Sequence, residues 1–100
     1  MTTLAGHEAR GTVDIATAAD GSPVLRISDF WVAPGAPDVR LYVTPDGDVD
    51  GPAAVDLGPI ASIDGSKDFP LPDGIAVRGL HVVVHCKVFS VEFGRAQLPA

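Results

Sequence analysis

The residue best equipped for chemistry is Cys86, the single cysteine of the chain. It sits in the apolar run Leu80-His81-Val82-Val83-Val84-His85-Cys86-Lys87-Val88-Phe89. A thiolate can act as nucleophile, metal ligand or redox group, and neighbouring cations favour it. Side chains alternate between the two faces of a strand, so this run places Leu80, Val82, Val84 and Cys86 on one face and His81, Val83, His85 and Lys87 on the other. The cysteine therefore faces the core and the histidines face outward. Two readings of Cys86 follow. In one it is a small buried hydrophobe. In the other it is a redox centre or cofactor ligand near a strand end, bordered by His85 and Lys87, with Lys87 favouring the thiolate if the chain bends toward it.

The other candidate ligands give weaker patterns. His81 and His85 are four residues apart, about 13 Å along a strand, whereas one metal ion would have to lie about 2 Å from each imidazole. Asp46-Gly47-Asp48-Val49-Asp50-Gly51 matches the start of a calcium loop, in which alternate carboxylates converge on a hard cation. A bidentate glutamate is required at the twelfth loop position, which here is Leu57, and the flanks read as strands. Asp46, Asp48 and Asp50 are thus read as a solvated acidic turn, with calcium as the weaker alternative. His7 lies in a polar segment and reads as solvated.

No catalytic set can be assembled. Cys86 has no base on its own face, no serine sits in a Gly-x-Ser-x-Gly elbow, and there is no glycine-rich phosphate cradle. The expectation is a protein that is not an enzyme.

The elements that must carry these residues are strands. Val39-Arg40-Leu41-Tyr42-Val43 alternates with period two, and shorter signals lie at 11–16, 24–28, 30–33, 55–57, 67–71, 77–88 and 90–98. Turn signals such as Asp20-Gly21-Ser22-Pro23, Asp64-Gly65-Ser66 and Pro72-Asp73-Gly74 recur too often for long helices. About eight short strands predict an all-β domain, an antiparallel β-sandwich with a flattened barrel as the alternative. The 100 residues predict one domain, compact from about 11 to 98, with Val39, Leu41, Val43, Val82, Val84 and Phe93 in the core.

The formal charge of −6 opposes nucleic acid and anionic lipid, and no apolar stretch approaches the roughly 20 residues of a membrane helix. The reading is a soluble domain with no nucleic-acid partner and no direct membrane insertion. One cysteine excludes an internal disulfide and leaves the redox compartment open. The first residues lack the features of a signal peptide, which fits either a cytoplasmic protein or a domain cut from a longer exported chain.

The order of residues resembles the DM-thirteen domain family, small extracytoplasmic modules often found beside DOMON domains. The closing segment Val82-Val83-Val84-His85-Cys86-Lys87-Val88-Phe89-Ser90-Val91-Glu92-Phe93-Gly94-Arg95-Ala96-Gln97-Leu98 is similar to the family's pattern of apolar strand, cysteine, Phe-Ser-Val, Phe-Gly, Ala and Leu. Gly11-Thr12-Val13, Leu25-Arg26-Ile27 with Phe30, Pro37-Asp38-Val39-Arg40-Leu41-Tyr42-Val43 and Val55-Asp56-Leu57-Gly58-Pro59-Ile60 support it. The family typically has an aromatic residue, often Trp, just before the cysteine, where this chain has His85. The resemblance implies a non-catalytic electron-transfer module with Cys86 as its redox residue, a cell-surface or extracytoplasmic setting, and a protein or redox partner. It leaves the cofactor unknown, with haem among the candidates. The rival is an interaction or adaptor domain in which Cys86 is merely packed.

Overall fold

The computed structural model describes residues 2–4, 6–35, 38–86, 88 and 91–99. The described residues form eight strands: β1 (Thr2–Leu4), β2 (Ala9–Thr17), β3 (Pro23–Val32), β4 (Val39–Thr44), β5 (Val55–Pro59), β6 (Ser66–Pro70), β7 (His81–Cys86) and β8 (Val91–Gln97). They make two four-stranded sheets, ordered β1-β2-β3-β6 and β5-β4-β7-β8, in which every pairing is antiparallel. The sheets do not close into a barrel, so the sandwich expectation holds.

Alternation explains most of the packing. Leu41 and Val43 of β4 and Val82 and Val84 of β7 turn to the core, where they meet Val13, Leu25, Ile27, Phe30 and Phe69 of the other sheet. Val39 and Phe93, expected in the core, are only partly buried against it. Val39 opens β4 beside an end of the sandwich. Phe93 is the extra residue of a β8 bulge, since Val84 pairs with Gly94 and His85 with Glu92.

The strand signals at 24–28 and 30–33 prove to be one strand with a bulge. Arg10 pairs with Trp31 but Thr12 with Ser28, so Gly11 faces both Asp29 and Phe30. Asp29 takes φ 52°, a left-handed conformation that aspartate tolerates better than most residues. Gly11 is close-packed there: a Cβ on it would lie 3.1 Å from the Phe30 Cα. The bulge keeps Ile27 and Phe30 both facing the core although they are an odd number of residues apart.

A strand that the sequence pattern does not mark, β1, pairs with β2 and buries Leu4 completely. The signal at 77–88 shortens to β7, because Val77 and Leu80 close a turn through the Leu80 N–H to Val77 carbonyl bond of 3.3 Å. The β1–β2 connection lies against β8: the Glu8 N–H donates to the Phe93 carbonyl at 3.4 Å, and a Cβ on Gly6 would come within 2.2 Å of that same oxygen. No helix among the described residues is long and apolar enough to cross a membrane.

Candidate functional site

Cys86 closes β7, an inner strand held by β4 on one side and β8 on the other. It pairs with Val39 and Val91, and its thiol is free and 0% exposed. The parity expectation is met: the extra residue of the neighbouring bulge belongs to β8, so β7 keeps its alternation and Cys86 stays on the face of Val82 and Val84. Lys87, offered by the sequence as a bordering residue, lies outside the described residues.

The opposite face of this sheet departs from expectation. Alternation puts His85 and Val83 on the outward face, but His85 is only 8% exposed and Val83 is 0% exposed. Register explains this. Three rungs cross the face, Thr44 to His81 to Gln97, Tyr42 to Val83 to Arg95, and Arg40 to His85 to Glu92. These rungs set Val83 and His85 among longer side chains on both neighbouring strands. The Tyr42 ring meets the His85 imidazole edge-on, with centroids 5.8 Å apart. Arg40 is held by Asp38 at 3.0 Å and Asp56 at 3.1 Å, and Arg95 is bonded to Glu92. His81 and His85 each keep a buried Nδ1 without a hydrogen-bond partner. Tyr42, Arg40 and Glu92, which form the surroundings of His85, gave no chemical signal in the sequence beyond their shared parity.

The aspartate loop is an ordered turn. Asp46 Oδ1 accepts from the Asp48 N–H at 3.0 Å and from the Thr44 hydroxyl at 2.8 Å, and Asp48 Oδ1 accepts from the Asp50 N–H at 3.0 Å. Two side chains thereby cap successive backbone amides, the Asx pattern of acidic turns. The loop bends back onto the sheet, where Arg95 reaches the Gly47 carbonyl at 3.3 Å. No three His, Cys, Asp or Glu side chains converge on a common point among the described residues. Calcium in millimolar excess is expected to leave the melting temperature unchanged. Native-state binding at a hundredfold excess over Kd would add about 2.7 kcal/mol. A clear upward shift, absent in Asp48→Ala, would restore the calcium reading.

The acidic groups also set the response to pH. The Asp48 amide, then the Thr44 hydroxyl, hold the Asp46 carboxyl below its ordinary range, and the Arg26 guanidinium does the same for Asp68 and Arg95 for Glu92. A carboxylate with a depressed folded-state pKa contributes stability above its unfolded value, near pH 4, and loses it as pH falls through the folded value. Urea midpoints should therefore hold from pH 7 to about pH 5 and decline below about pH 4. In Asp46→Asn part of that acid decline should disappear; an unchanged slope would contradict the Asx assignment.

A family model described as electron transfer DM13 matches residues 1–98. The chain belongs to the DM13 family. No curated protein and no solved structure matches it.

The family resemblance also raises haem, and the geometry around Cys86 can be set against it. Cavities lie at the Val32–Ile60 end, beside Ile15 and Leu98, and near Ala53 and Ile75, and Cys86 lines none of the three. Its sulfur is closed to solvent, and the His85 Nδ1 is buried on the far side of the sheet. Among the described residues, neither Cys86 nor His85 is placed to ligate a haem.

Proposed function

We propose that this DM13 domain is a non-catalytic electron-transfer module in which Cys86 is the redox centre, served by a protein partner that docks at the β7 end of the sandwich in an extracytoplasmic or cell-surface setting. The observation that supports this reading is the coincidence of an electron-transfer family match with one free thiol, enclosed on the core face of an inner strand. No second cysteine exists in the chain to form a disulfide with it, so dithiol cycling within the domain is closed. Enclosure keeps peroxide and foreign thiols away from the sulfur, whose oxidation ladder depends on exposure. In such a step the Cys86 thiol loses one electron to the docked partner across a thin wall of side chains, loses its proton with it to become a thiyl radical, and regains both when the partner re-reduces it. Voltammetry of the folded chain beside Cys86→Ala tests the reading, with a wave expected in the first and absent in the second.

An adaptor domain is the second reading. It is favoured by the complete burial of Cys86 on an inner strand, which a core cysteine without chemistry would share.

A further inference from the structure

The cavity at the Cys86 end of the sandwich has no part in the function proposed above. It measures about 570 Å³, within the range of small-molecule sites, and both sheets wall it: Val32 and Lys67 on one side, Val39 and Ile60 on the other. Lys67 is the unexpected member. Register places it beside Ile27 and in step with Phe69, on the core-facing side of the edge strand β6, where it is exposed at the rim of the cavity and alternation calls for an apolar residue. Its ammonium lies 5.1 Å from the Phe69 ring centroid and forms no salt bridge among the described residues.

The other polar groups of the lining are already engaged. Asp38 is paired with Arg40 at 3.0 Å. The Ser62 hydroxyl accepts from the Val32 N–H at 3.0 Å and donates to the Val32 carbonyl at 3.4 Å. Among the described lining residues, a ligand entering here thus meets apolar walls and the Lys67 ammonium.

We propose that this cavity binds a small amphipathic organic anion, its apolar body against Val32, Val39 and Ile60 and its carboxylate, sulfonate or phosphate at Lys67. In a chain of net charge −6, long-range attraction does not favour anions, so selection must come from the local lysine and the fit of the walls. Val39 pairs with Cys86, and the bound molecule would lie one strand from the thiol; binding itself does not depend on what Cys86 does.

The test titrates the full chain with naphthalene-2-sulfonate and, separately, with naphthalene-2-methanol, which has the same ring and no charge, while methyl NMR signals of Val32, Val39 and Ile60 are followed. Saturable shifts at these three residues are expected, with the sulfonate binding more tightly than the alcohol. Lys67→Gln should weaken the sulfonate by about fivefold or more, as loss of an exposed ion pair implies, and leave the alcohol unchanged. Lys67→Arg should retain the preference. Lys67 is exposed on an edge strand, and a thermal melt of each variant verifies that it folds. Absence of saturable shifts at these methyls, shifts scattered over the surface, or equal affinities for the two probes in the native chain would overturn the proposal.

Discussion

Iodoacetamide should modify Cys86 at least about a thousandfold more slowly in native buffer than in denaturant. The sulfur is 0% exposed, and β7 is an inner strand, so the reagent must wait for an opening that parts β7 from β4 or β8. Domains of this size have stabilities of about 5–15 kcal/mol, and an opening that costs even the lower figure leaves the thiol accessible in fewer than about one molecule in a thousand. Equal rates in the two conditions would mean that Cys86 does not share the face of Val82 and Val84. The same enclosure predicts that Cys86→Ser costs about 1–3 kcal/mol, because a hydroxyl without a partner would replace an apolar sulfur. A neutral substitution would contradict it. Only an electron, not a reagent, would then reach this thiol in the folded chain.

Phe30→Ala should destabilise the domain by about 3–5 kcal/mol, a large share of its total stability. Phe30 is among the largest fully buried side chains and follows the β3 bulge. Its position depends on three local facts: the left-handed Asp29, the close approach of Gly11, and the Ile63 N–H that donates to the Phe30 carbonyl at 2.9 Å. Removing the ring leaves a cavity between the sheets that this pinned backbone cannot collapse to fill. Urea denaturation of the two proteins measures the difference. A loss below about 1 kcal/mol would show that the bulge does not anchor the core as described.

The contrast between what the residues announce and what folding adds is physical. Val39-Arg40-Leu41-Tyr42-Val43 and Val82-Val83-Val84 were legible because alternation is a property of neighbours in the chain. The orientation of Cys86 was legible for the same reason. β1 was not, because Thr2-Thr3-Leu4 carries one apolar residue and gains its burial from pairing with β2. The burial of Val83 and His85 was hidden because it depends on Tyr42, Arg95, Arg40 and Glu92, which reach them across register from other strands. Lys67 and Val39 share a cavity only because the two sheets face each other, and no spacing within one segment encodes that meeting. The acidic, strand-flanked character of the Asp46-Gly47-Asp48 turn is plain in the sequence, yet its fold-back onto Arg95 is again a contact between distant segments.

Cys86 is proposed to exchange electrons while enclosed. Protein-film voltammetry of the purified, folded chain measures this directly, with Cys86→Ala run beside it after its melt confirms the fold. A reversible wave is expected in the native chain and is lost in Cys86→Ala. Absence of any wave, in a protein that carries no bound chromophore, would contradict it and leave Cys86 as a packed residue of an adaptor domain.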